Sequence, residues 1–163
     1  MGTRRIRVTA MVAVGVAAAV AVAVVAFVLD GETGPTSRAD YQAVVVNARD
    51  RVDFALERMT KSQSVDELTE RLDEAADTVE DTANDLGDTG VAEGFEDETD
   101  KLVEGMHKFS GELAGTAATL RDPAFADVLA ALSNLSFEQW VVVNRILTDL
   151  DEQGIQVEPL ARY

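Results

Sequence analysis

The chain has no cysteine. That excludes structural disulfides, thiol catalysis and a lipid-modified N-terminal cysteine. Histidine is nearly absent as well, with His107 standing alone. Helical bundles that hold two iron or manganese ions use two Glu-x-x-His motifs, and Glu104-x-x-His107 is one at most. Its neighbours Leu102, Met106 and Phe109 form an apolar stripe, which turns Glu104 and His107 outward. No phosphate loop, nucleophile elbow or calcium-hand spacing occurs. Carboxylates abound, but nothing in the spacing sets two of them in a desolvated cleft. The expectation is a protein without enzymatic activity, catalytic residues, cofactor or metal centre.

Charge is missing from one region altogether. Residues 8–29, VTAMVAVGVAAAVAVAVVAFVL, contain no ionisable side chain. Roughly 20 apolar residues in a helix cross the hydrocarbon core of a bilayer, and this run is long enough. Arg4, Arg5 and Arg7 precede it, and Asp30 and Glu32 come after it. The positive-inside rule then leaves residues 1–7 as a cytoplasmic basic tip and exports the chain beyond the span. A cleaved signal peptide is the competing reading, with Ala21-Val22-Ala23 as a small-x-small site. Signal-peptide apolar regions usually run 7–15 residues, which favours an uncleaved anchor and a single-pass protein of the cell membrane. Gly15, Ala19 and Ala23 recur at spacing four, which lets two spans approach closely in lipid.

Basic residues are few beyond the span. All 30 acidic residues lie C-terminal to it, and the chain as a whole carries −16. Such a surface repels the phosphate backbone, so nucleic acid is excluded as a partner. Solubility explains the acidity most simply; a basic protein or divalent cations explain it otherwise. Glu70, Glu74, Asp77 and Asp81 form a row on one helix face, with Asp85 continuing it. Like charges four apart destabilise a helix by about 0.2–0.5 kcal/mol per pair. A solvated face is the simpler reading of that row, and a cation-binding stripe the sharper one.

Residues 30–36, DGETGPT, are a linker that ends the membrane segment. Beyond it the apolar pattern is helical. Tyr41, Val45, Ala48, Val52, Ala55 and Met59 alternate steps of four and three. So do Val65, Leu68, Leu72, Ala75 and Val79, with Leu86 in the same row. Leu102, Met106, Phe109, Leu113 and Leu120 come next, then Phe125, Val128, Leu132 and Leu135, then Trp140, Val143, Leu147 and Leu150. The spacing predicts helices near 37–61, 64–86, 89–121 and 123–153. Ser64-x-x-Glu67 and Ser136-x-x-Gln139 read as capping boxes, and the second falls where the stripe breaks, so the last region is one helix or two. Gly87 and Gly154 stand where helices end in a left-handed residue. Short connections force antiparallel neighbours. The fold expected is therefore all-α: one transmembrane helix, then an acidic extracytoplasmic up-down bundle of four long helices, or five, over 37–153. Residues 154–163 form a C-terminal tail in which Ile155 and Val157 alternate before Pro159. This plan resembles exported helical bundles tethered by one N-terminal helix, as in bacterial sensor and adaptor proteins, and such a likeness of plan supplies no function.

Two surfaces stand out. Gly111, Gly115 and Ala118 make a flat row of small residues in the third helix, which also holds Gly94 and Gly105. Interior glycines cost about 1 kcal/mol each against alanine. They suit close packing within the bundle or a groove for a partner helix, a second copy included. Trp140 and Val141 begin the densest apolar patch outside the span, a core by default and a contact surface where exposed. The leading expectation is a membrane-anchored interaction module that works as a scaffold or adaptor, through a protein partner or self-association. The alternative is a sensory-type bundle that holds a ligand or cation between its helices and acts through a partner.

Overall fold

A computed structural model of the protein describes residues 37–121 and 137–161. The uncharged stretch 8–29, with Gly15, Ala19 and Ala23, lies outside the described residues, and among those described no helix is long and apolar enough to cross a membrane. The described part is all-helical: α1 Arg38–Thr60, α2 Val65–Gly87, α3 Glu96–Arg121 and α4 Glu138–Glu152.

Each helix begins where local chemistry satisfies its free N–H groups. Ser37 caps α1, its hydroxyl accepting the Asp40 N–H at 3.2 Å. Ser64 caps α2 through the Glu67 N–H at 3.1 Å. The Glu67 carboxylate reaches back one residue further than a capping box requires, accepting the Gln63 N–H at 2.9 Å. α3 starts seven residues later than the periodicity predicts. Gly94 has φ +88°, which no helix accommodates, so Ala92 and Phe95 enter the core from a loop instead. Glu96, Asp97 and Glu98 then place negative charge on the first turn of α3, where the helix dipole favours it. Gly87 is the last residue of α2 and is not left-handed; the chain leaves through Asp88 in ordinary right-handed geometry.

Of the last predicted region, α4 covers Glu138–Glu152; the run of Phe125, Val128, Leu132 and Leu135 lies outside the described residues. Phe137 is extended (φ −93°, ψ 111°) and its side chain makes no capping bond. Ser136 lies outside the described residues. The Gln139 N–H is taken instead by the Glu112 carboxylate of α3 at 3.0 Å. At its other end α4 closes in a Schellman motif: Gly154 (φ +88°) donates to the Asp151 carbonyl at 2.8 Å and Ile155 to that of Leu150 at 2.9 Å.

Cross-helix pairs give the relative directions. Arg51 meets Asp85 at 2.5 Å and Arg58 meets Glu74 at 2.8 Å, so α1 and α2 run antiparallel. Glu80 with His107 and Asp73 with Arg121 do the same for α2 and α3. Phe109 against Phe137, with ring centroids 5.6 Å apart, and Gly105 against Val143 order α3 and α4. The core is apolar and continuous through Val45, Val52, Leu72, Val79, Leu102, Phe109, Leu113 and Leu150, all at most 2% exposed. Its buried threonine hydroxyls bond within their own segments. Thr69 and Thr82 donate to carbonyls four residues back. Thr99 donates to the Phe95 carbonyl at 2.7 Å, which leaves its oxygen to accept the Tyr41 hydroxyl at 2.7 Å. Burial pushes the Tyr41 phenol above its ordinary pKa, against the lowering effect of that hydrogen bond.

α1 and α4 do not pack broadly on one another. Between them lies the C-terminal segment, extended and parallel to α1. Arg38, Arg49 and Asp53 of α1 meet Gln153, Glu158 and Ala161 in the same order. Fifteen helical residues advance about 22 Å and eight extended ones about 26 Å, so the two elements keep pace. Ile155, Val157 and Leu160 are each at most 4% exposed. This segment, here called the strap, occupies the position that a direct α1–α4 helix contact would otherwise fill.

Candidate functional site

The row of small residues on α3 faces away from the core. Gly111, Gly115 and Ala118 are exposed. A Cβ placed on either glycine would meet no described atom within 4 Å. Close packing within the described bundle therefore does not account for these two glycines. The glycine that does pack is Gly105. It is buried, and a Cβ there would lie 3.4 Å from Val143 and 3.7 Å from Ile146. Gly105 sits three residues after Leu102 and four before Phe109, on the core stripe itself.

Trp140 is half-buried and packs on the core, while Val141 beside it is 51% exposed. Val142 is exposed too, and so is Phe54 on α1, at 63%. Phe54 escapes the periodic reading because it lies off the α1 stripe.

On α2, Glu70, Glu74, Asp77 and Asp81 are all exposed. Arg58 and Arg71 hold Glu74 at 2.8 Å each, and Arg51 holds Asp85. Arginines from the helix and its neighbour thus neutralise part of the row. Among the described residues no three acidic, histidine or cysteine side chains close on a metal-sized point. Glu104 pairs with Lys108 at 2.5 Å; that hydrogen bond and the lysine charge lower its pKa. His107 Nδ1 lies 3.0 Å from Glu80, which ties α3 to α2.

Among the described residues the core is closely filled. A void of about 10 Å³ lies among Val45, Val52, Leu102, Met106, Leu147 and Leu160. That is space for one water at most, and its lining is apolar. Larger hollows are open to the outside, one beside Gly87, Val103 and His107 and one beside the α1–α2 turn.

The most elaborate polar arrangement is one the spacing of the sequence does not announce. Arg49, 17% exposed, donates to the carbonyls of Glu158 at 3.2 Å and Pro159 at 3.0 Å. Asn144 of α4 faces Leu160 with both ends of its amide: it accepts the Leu160 N–H at 2.6 Å and donates to the Leu160 carbonyl at 3.5 Å. Asp53 accepts the Ala161 N–H at 2.8 Å. Burial by itself would lower the Arg49 pKa. The hydrogen bond to Asp50 and the charges of Asp53, Asp50 and Glu158 outweigh it and raise the pKa. Only the alternation of Ile155 and Val157 hints in the sequence that this segment is extended.

No family model matches the chain, and neither a characterised protein nor a solved structure is significantly similar to it.

Proposed function

We propose that the protein is a membrane-anchored interaction module. Residues 8–29 hold it in the cell membrane, with the up-down bundle of 37–153 outside the cytoplasm, and its role is to present helical surfaces to a protein partner or a second copy. The observation that carries this reading is the closed interior. The void among the described core residues is about 10 Å³, which supports a domain that works through its surface. The exposed surfaces at Gly111, Gly115 and Val141 fit that role, and the uncharged stretch 8–29 with arginines on one flank supports the anchor. The alternative, a ligand held between helices, needs polar groups around a cavity, and the described interior supplies neither in quantity.

The absence of cysteine makes the test simple. A single Gly111→Cys variant of the full chain is treated in intact cells with a membrane-impermeant thiol reagent, then with a thiol-linked photo-crosslinker. Labelling of intact cells and a discrete cross-linked product are expected. Labelling only after lysis would overturn the topology. Labelled chains that stay uncross-linked, both here and in Val141→Cys, would overturn the interaction reading.

A further inference from the structure

We propose that the channel between α1 and α4 is a binding site for an extended peptide, occupied in cis by the chain's own residues 155–161. The ligand class it takes in trans is a segment with apolar side chains at the spacing of Ile155, Val157 and Leu160. This deepens the interaction reading above, because it names one site and the chemistry of its partner.

Three observations lead there. The hydrogen bonds that clamp the strap go to its backbone, and the Arg49–Glu158 ion pair at 3.7 Å is the contact that reaches a strap side chain among those described. Arg49 takes two successive carbonyls, Asn144 takes both the N–H and the carbonyl of one residue, and Asp53 takes the next N–H. Any extended chain offers these same groups. Second, the last backbone-to-backbone bond in the described segment is that of Ile155 to Leu150, so the strap leaves without disturbing a helix ladder. Gly154, with φ +88°, sits at the point where the chain turns into the strap. Third, the floor beneath Leu160 is apolar, formed by Val45, Val52, Leu102 and Val143 among others. A vacated channel would expose that floor to water, so exchange of one peptide for another is favoured over simple opening. The occupant already seated there fixes the pattern of side chains that fits.

The experiment uses the full chain in detergent with Leu160→Asp, which unseats the strap, and a fluorescent peptide of residues 153–161 as probe. Saturable binding of the probe to the folded variant is expected, much weaker binding to the unaltered chain, and a further loss of roughly tenfold when Asn144→Ala removes its two hydrogen bonds. A variant that keeps its helical circular dichroism yet shows no binding up to about 1 mM, the weak edge of specific recognition, would overturn the proposal. If Leu160→Asp fails to fold, amide exchange in the unaltered chain decides. Leu160 and Ala161 should exchange through local opening while the helices stay protected. Equal protection of strap and helices would make the strap ordinary core and overturn the proposal. Because the probe is a defined peptide, this result stands apart from whether Gly111→Cys finds a partner in cells.

Discussion

The three helix-to-helix seams and the α1–α4 channel bury apolar side chains by different means. In the seams, backbone polar groups are already paired inside each helix, and contact is left to side chains such as Phe109 against Phe137. In the channel, the strap brings unpaired N–H and carbonyl groups to the domain, and Arg49, Asn144 and Asp53 must answer them. A helical seam needs only a stripe at the right period. An extended seam needs polar partners at fixed positions, so it is more selective and more easily undone.

Substitutions can press on that difference. Phe109→Ala should have the largest effect, about 4 kcal/mol in urea unfolding, since the ring is fully buried. A loss below about 1 kcal/mol would mean that α3 does not anchor the core. Leu160→Ala should remove about 2–3 kcal/mol. Its amide exchange should accelerate more in the strap than in the helices; uniform acceleration would erase the distinction between channel and seam. Tyr41→Phe deletes one buried hydrogen bond and should cost about 1 kcal/mol near neutral pH. Its pH dependence has a definite sign. Burial raises the folded-state pKa of Tyr41. Protonated Tyr41 therefore stabilises the fold fully below about pH 10, and that contribution is lost as pH rises through the higher folded value. Unfolding curves at alkaline pH should fall less steeply for the phenylalanine variant. Smallest is Gly111→Ala, a gain of up to about 1 kcal/mol, because its Cβ meets no described atom within 4 Å. The same change at Gly105 should gain less, with Val143 already 3.4 Å away.

The helices are legible in the sequence because burial at a period of 3.6 residues leaves a repeating mark. Tyr41, Val45, Val52, Leu72, Val79, Leu102, Phe109 and Leu150 are all core. The start of α3 is not legible, because Gly94 gives no sign, in sequence alone, whether it continues a helix or breaks it. The glycines are separable in principle. Gly111 lies nine residues after Leu102, about two and a half turns, and so points opposite the core, whereas Gly105 points into it. The strap is half legible. Ile155 and Val157 alternate, but the buried position then shifts from 159 to Leu160, which hides the pattern. Arg49, Asp53 and Asn144 are not legible at all, since a polar residue beside an apolar stripe looks the same whether it meets water or a passing chain. Only the pairing of segments far apart in sequence reveals their role.

That distance along the chain sets an order of assembly. The pairs joining neighbouring helices span short separations, 34 residues for Arg51 to Asp85 and 27 for Glu112 to Gln139. Those joining α1 to the strap span 108 to 110. Contacts between distant residues form later, because a longer loop must close before they are rewarded. The helical hairpins should thus assemble first and the strap dock last. Synthesis runs in the same direction, so a nascent chain halted within α4 would already hold its hairpins while its apolar channel stood open.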